Sequence, residues 1–332
     1  MQVLFIGGTG IISSACARAA VAHGMDVTFL LRGKTRRHPV PAGVAEILCD
    51  VRDPASVRAA IGDRRFDVVV QWIGFLPTHV EQDIEVFRGR THQYVFISSA
   101  SAYQTPPSRI PVTESTPLHN PYWQYSRDKI ACEERLIRAY RSEGFPATIV
   151  RPSHTYDAAL LPVHGGWTVV DRMRRGAPVV VHGDGTSLWT LTHHEDFARG
   201  FVGLLGHDAA IGDSFHITSD EALTWDRIHE LLARPLGVEP KIVHVPSEVI
   251  AAFDAEWGAS LLGDKAHSMV FDNTKIRRLV PDYRAVIPYA HGAAAQIAWY
   301  QEDAARRVVD ERTNALIDRI VAHARRALPE TR

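Results

Sequence analysis

Apolar positions along the chain fall into short continuous runs, and the stretches between them carry helical spacing. Gln2 to Ile6 is the first run, apolar and β-branched enough for a parallel strand covered on both faces. Gly7, Gly8 and Gly10 follow at once, and Ile11 to His23 reads as a small-residue helix that stops at Gly24. Asp26 to Leu31, Ala45 to Leu48, Phe66 to Gln71 and Tyr94 to Ile97 read as further strands. Helices are expected from about Pro54, over Glu81 to Gly89, and from Trp123 to Tyr140. Strict βα alternation through Arg151 predicts an α/β fold, a doubly wound parallel sheet of the Rossmann kind.

Past Pro152 the pattern becomes mixed. Thr168 to Arg175, Asp196 to Leu205 and Thr224 to Ala233 read as helices, Pro178 to Val181 and Lys241 to Val245 as strands. Ser214 to Ile217 reads as a strand returning to the main sheet, and Leu261 to Ser268 as a polar loop. Ala285 to Ala327 is expected to be largely helical, with Val308, Ile317, Ile320 and Val321 as an apolar stripe packed on the core. These elements divide the chain into a dinucleotide-binding part, 1–155 with returns near 190–218, and a smaller mixed α/β substrate lobe with C-terminal helices, 156–330. A chain of 332 residues has the length for both.

Composition narrows the partners. The formal net charge is −1 with acids and bases interspersed, which argues against nucleic acid and anionic membrane. No apolar run approaches the roughly 20 residues of a membrane helix, and no charged leader precedes the first strand. Cys16, Cys49 and Cys132 have neither paired nor metal-ligand spacing, so a reducing cytoplasmic setting is expected. His193-His194-Glu195 are adjacent rather than convergent, and no metal is expected there.

The chemistry starts at the glycine turn. A dinucleotide pyrophosphate needs a tight turn, a close backbone approach and a helix N-terminus, and Gly7, Thr9, Gly10, Ile11 and Ile12 occupy those places. Ser13 stands where a third small residue lets helix and strand touch. At the end of the second strand an acid would accept from the adenosine ribose. The chain has Leu31 there, followed by Arg32, Lys34, Arg36 and Arg37. A solvated basic loop would look the same, but the missing acid favours a ribose 2′-phosphate, with Arg32 as its partner, hence NADP over NAD. Asp50 and Val51 are candidates for the adenine, and Gly74 for a close backbone approach to the cofactor; Asp53 reads as a helix N-cap. Tyr125 and Lys129 lie four apart on one helical face, as a general acid/base and a nearby cation would.

With Gly7 and Gly10, Ser99, and Tyr125 and Lys129 in order, the whole chain resembles the extended short-chain dehydrogenase/reductase family, in its sugar epimerase and dehydratase branch. The resemblance implies Ser99, four before Tyr103, as the catalytic serine, Tyr125 and Lys129 as the YxxxK pair, and Arg151-Pro152-Ser153-His154 as the following strand's motif, with Pro152 and His154 beside the cofactor. Members that eliminate water carry an acid just after the catalytic Ser/Thr; Ala100 and Ser101 occupy those positions, which disfavours dehydration. The asparagine and arginine that hold substrate phosphate in nucleotide-sugar epimerases align with His154 and Trp189. Phe75, His154 and Trp189 are then expected to wall a sugar-like substrate. The implied activity is an NAD(P)-dependent oxidoreductase or epimerase working through a keto intermediate. An NADPH-dependent ketoreductase of a small molecule, and a non-catalytic cofactor-bound RNA- or protein-binding module, are the alternatives. A homodimer is compatible with the long helical C-terminal region.

Overall fold

The computed structural model describes residues 1–34 and 36–327. In chain order its principal elements are β1 (Gln2–Ile6), α1 (Ile11–Ala22), β2 (Asp26–Leu31), β3 (Ala45–Leu48), α2 (Pro54–Ile61), β4 (Phe66–Gln71), α3 (Pro77–Phe87), β5 (Thr91–Ile97), α4 (Gln124–Glu143) and β6 (Ala147–Pro152). Then follow β7 (His154–Tyr156), α5 (Trp167–Arg174), β8 (Pro178–His182), β9 (Leu188–Trp189), β10 (Leu191–His193), α6 (His194–Val202), β11 (Ser214–Ile217), β12 (Leu223–Thr224), α7 (Trp225–Ala233) and β13 (Lys241–Val245). The chain closes with α8 (Ser247–Phe253), α9 (Ala255–Ser260), a π-helical turn (Leu261–Lys265), α10 (Thr274–Leu279), α11 (Tyr289–Glu302) and α12 (Glu311–Ala327).

Seven strands form one parallel sheet in the order β11-β6-β5-β4-β1-β2-β3. The chain therefore reverses direction across the sheet between β1 and β4, and ligands in such sheets bind outside the strands' carboxyl ends at that point. The central strands are buried along nearly their whole length, which is why they read as unbroken apolar runs rather than alternating ones. Ser214–Ile217 does return to this sheet, pairing with Ile149–Pro152 of β6. Three two-stranded pairs, β10 with β7, β12 with β9, and β13 with β8, build the rest around a second core.

Several expected elements are shifted. The helix expected over Glu81 to Gly89 spans Pro77–Phe87, because Pro77 at its first turn fixes a helical φ and lacks the N–H that would be orphaned there. The stretch Leu261 to Ser268, expected to be a loop, begins as the π-helical turn. The C-terminal region breaks between Glu302 and Glu311; Ile317, Ile320 and Val321 enter the second core, whereas Val308 lies in the break and is 70% exposed. No helix among the described residues is long and apolar enough to cross a membrane.

Candidate active site

The glycine turn forms a groove of about 390 Å³ at the carboxyl end of β1, lined by Gly7, Thr9, Gly10, Ile11 and Ile12 among others. Gly8 has φ +135°, and a Cβ there would lie 2.7 Å from the Phe29 ring, so the turn admits no side chain. Ser13 is buried, and its Oγ accepts the Gly10 N–H at 2.9 Å. The hydroxyl thus pins the turn where a third glycine would only have made room. The first backbone N–H groups of α1 have no partner within the helix and stand at the groove's edge, the arrangement a pyrophosphate needs. These residues fit a dinucleotide.

The putting together of the other expected cofactor residues is uneven. Arg32, Lys34 and Val51 line the groove. Arg36 does not, since it pairs with Glu46 at 2.7 Å. Asp50 is exposed and accepts the Arg52 backbone N–H at 3.0 Å, outside the groove lining. Arg52, which sequence reasoning passed over, donates to the Ile73 carbonyl and lies close enough to Arg32 for that charge to bear on it. Gly74 contributes its carbonyl, which accepts from Lys129. A Cβ on Gly74 would meet Gln71 at 2.8 Å and Phe96 at 2.9 Å, so the strand end must stay bare.

Beside the groove opens a pocket of about 370 Å³, and Ser99, Tyr125, His154 and Trp189 all line it. Pro152, expected beside the cofactor, and His154, expected there and on the substrate wall, line this pocket and not the glycine groove; Thr155 lines both. Phe75 is not part of the pocket wall. Its ring is 44% exposed on the groove rim, 5.0 Å from Lys129 Nζ.

Tyr125 lies beside Ser99, whose hydroxyl acts to lower the phenol. Ser126 Oγ donates to Ser101 Oγ at 2.8 Å, which leaves the Ser101 hydroxyl to donate onward to Ser99 at 2.9 Å. Ser99 Oγ also takes the Ser101 N–H at 3.2 Å, so its own proton is directed away, toward Tyr125 or a bound oxygen. Lys129 is buried and donates to the Gly74 and Ile97 carbonyls at 2.7 and 2.8 Å. Burial pulls its ammonium down to about 8. A cation one helical turn away would lower a phenol, but Tyr125 is raised here. Burial pushes the phenol up to about 12; the Ser99 hydroxyl works against that rise, and the Asp264 carboxylate adds to it. Lys129 spends two donors on backbone carbonyls, and its Nζ is 5.8 Å from the Tyr125 ring centre.

His154 is held at about 3 by burial, with the Lys265 charge acting in the same direction. It is therefore a neutral imidazole. Asp264 and Lys265, from the π-helical turn, also line the pocket, 3.5 Å apart. Burial raises the Asp264 carboxyl, and Lys265 partly offsets it. Asp264 carried no signal in the sequence, since nothing local marks a residue so far along the chain as a neighbour of Tyr125. Lys265 was legible only as one residue of the polar loop expected over Leu261 to Ser268.

Behind the site a buried network locks the strand ends. Ser98 Oγ donates to Glu133 at 2.5 Å, and Glu133 pairs with Arg151 at 2.6 Å. Arg151 donates to Tyr103 OH at 3.1 Å, Tyr103 to His216 Nδ1 at 3.0 Å, and His216 Nε2 to the Asp272 carbonyl at 2.8 Å. Every donor finds an acceptor, which is what makes a buried polar chain tolerable. His193 and His194 are each engaged by backbone groups. His193 accepts from the Glu195 N–H as a helix cap, and His194 lies 3.4 Å from the Ile11 carbonyl.

Residues 3–218 match the sequence profile of the NAD dependent epimerase/dehydratase family. The 2'-dehydrokanamycin reductase of Streptomyces kanamyceticus is 28% identical over 299 residues, covering 86% of this chain and 80% of that one. The chloroplast stem-loop binding protein of 41 kDa b from Arabidopsis thaliana is 27% identical over 256 residues, covering 73% of this chain and 65% of that one. Among solved structures, epimerase Mth375 of Methanothermobacter thermautotrophicus shares the fold with a TM-score of 0.74 at 17% identity, covering 91% and 93% of the two chains.

Proposed function

The chain belongs to the NAD-dependent epimerase/dehydratase family, and on that premise we propose that it is an NADP-dependent oxidoreductase that reduces a ketone on a sugar-like substrate. The observation that carries the reading is the meeting of Ser99, Tyr125 and Lys129 where the glycine groove opens onto the pocket. Arg32 and Lys34 on the groove wall, with no acid at the end of β2, support the phosphate-bearing cofactor.

The glycine groove would hold the nicotinamide dinucleotide, which in its reduced form would supply a hydride for a carbonyl carbon. The chain's own residues do the rest. Tyr125, which burial keeps protonated, gives its phenolic proton to the carbonyl oxygen. Ser99, its proton steered by Ser101 and Ser126, donates to the same oxygen. Lys129, fixed by two carbonyls, holds a positive charge 5.8 Å from the ring centre of the phenolate that results. His154 presents a neutral imidazole and Trp189 an apolar face to the rest of the ring.

Support for reduction over epimerisation comes from the reductase relative, which aligns with most of the chain. Mixing the protein with NADPH and a panel of keto-sugars, while following nicotinamide fluorescence, tests it. Stoichiometric NADPH loss that vanishes in Tyr125→Phe is the expected result. Turnover of a sugar epimer with no net cofactor consumption would replace reductase by epimerase. The stem-loop binding relative favours a second, RNA-binding reading. The net charge of −1 counts against it. RNA affinity unchanged in Tyr125→Phe, with no turnover of any sugar, would establish it.

A further inference from the structure

Behind the pocket lies a second cavity of about 260 Å³, sharing Trp123, His154 and Lys265 with the first. Trp123, Trp225 and Trp257 form much of its wall, and His164 stacks on Trp257 with ring centres 4.1 Å apart and planes 7° from parallel. Lys265 is the one charged side chain among its lining residues. That ammonium is already engaged, 3.5 Å from Asp264, 5.2 Å from the Trp123 ring centre and 5.8 Å from that of Trp189.

Three imidazoles complete the wall: His164, His182 and His229. Burial holds all three below the ordinary histidine range. They are neutral near pH 7. His182 Nε2 meets the Lys265 carbonyl at 2.9 Å and His229 Nδ1 meets the Trp225 carbonyl at 2.8 Å. A carbonyl only accepts, so those nitrogens carry the protons. The opposite nitrogens, His182 Nδ1 and His229 Nε2, are lone-pair acceptors with no protein hydrogen bond among the described residues.

Indole faces plus neutral acceptors suit a ring with C–H faces and hydroxyl donors; they do not suit a diphosphate. A phosphate group entering here would lose its water opposite a single lysine that already faces a carboxyl. We propose that the second cavity binds a second hydroxylated ring of the substrate, one bearing no negative charge, so that the substrate class is a two-ring glycoside rather than a nucleotide sugar. This rests on the reading that the first ring reacts at Ser99 and Tyr125, and it names what is attached to that ring.

The test reads binding rather than turnover. Tyr125→Phe protein with NADP is titrated, by tryptophan fluorescence, with methyl glucoside, with maltose, cellobiose and the two-ring aminoglycoside neamine, and with UDP and UDP-glucose. At least one two-ring probe is expected to bind tenfold or more tightly than methyl glucoside. Ser260→Tyr, which fills the cavity from a half-buried lining position, is expected to erase that gain and leave methyl glucoside binding within twofold. Trp257→Phe, which keeps an aromatic side chain in the core, is expected to reduce the gain severalfold. No advantage for any two-ring probe, or UDP binding tenfold tighter than all of them, overturns the inference. Failure of the underlying reading looks different: wild-type protein would bind a two-ring probe in the cavity, yet oxidise or reduce no sugar with either cofactor.

Discussion

Trp189 donates its indole N–H to Nδ1 of His154 at 3.2 Å, with the two rings edge to face. Both residues line the candidate substrate pocket. The bond also fixes a tautomer. With Nδ1 accepting, the proton of the neutral imidazole sits on Nε2, and His154 becomes a donor toward whatever occupies the pocket.

Trp189→Phe removes the donor and keeps most of the apolar face. A buried imidazole nitrogen left without its partner costs about 1–3 kcal/mol, and the ring is free to take the other tautomer. Substrate KM should rise about tenfold, since about 1.4 kcal/mol corresponds to that factor, while the Kd for NADP stays within twofold. Steady-state kinetics beside a cofactor titration would check it. Unchanged KM would mean that His154 does not touch substrate.

Tyr125→Phe should lower kcat by roughly 100-fold or more, the usual cost of losing a general acid, with NADPH still bound. Lys129 sets the alkaline limit. Its ammonium, pulled down to about 8, is lost as pH climbs through that value. kcat/KM should therefore fall above about pH 8, and Lys129→Met should give a low rate with no such limb. A wild-type profile flat to pH 10 would show that the Lys129 charge plays no part.

Arg32→Ala should weaken NADPH about tenfold or more and leave NADH within twofold, because a guanidinium hydrogen-bonded to a phosphate counts only where the phosphate exists. Arg52→Ala, at the neighbouring cation, should have a smaller effect in the same direction. Isothermal titration with both cofactors decides it, and equal losses for the two would put Arg32 on the shared part of the molecule.

The fold was legible where one physical rule dominates. Strands β1, β2 and β4 to β6 are buried on both faces, so continuous apolar runs marked them, and the bare turn after β1 marked the groove. Tyr125 and Lys129 were legible because helical spacing is local. What long-range packing decides was not. Asp264 and Lys265 reach Tyr125 and Trp189 from a π-helical turn that composition presented as a polar loop. Phe75 looked like a wall residue because aromatic character says nothing of direction, and its ring lies on the groove rim. Ser126 donates to Ser101 only because α4 docks against the short turn after β5, a contact invisible to either segment alone.

Acid should destabilise this protein well above the carboxylate range. His182 and His216 are buried and held at about 4, against about 6.5 for an unfolded chain. Between those values the unfolded state binds more protons, so the stabilisation is complete above pH 6.5 and lost as pH falls toward 4. Each shift is worth about 3 kcal/mol. Asp83 works in the opposite sense: burial lifts its carboxyl to about 6, so the folded state binds its proton first and gains as pH falls from 6 toward 4. It offsets one of the histidines. Partly exposed His154 and His193, also pushed down, tip the balance back toward acid lability, though solvent screening reduces what each contributes. Protonation at His216 would also put a proton on Nδ1, where Tyr103 OH now donates, and so break the chain that runs through Arg151 to Glu133. Unfolding free energy measured by denaturant titration should therefore drop steadily from pH 6.5 to 4.5. His216→Gln should flatten that slope by about one proton, and Asp83→Asn should steepen it by about one. A slope unchanged by both substitutions would place the acid sensitivity elsewhere in the molecule.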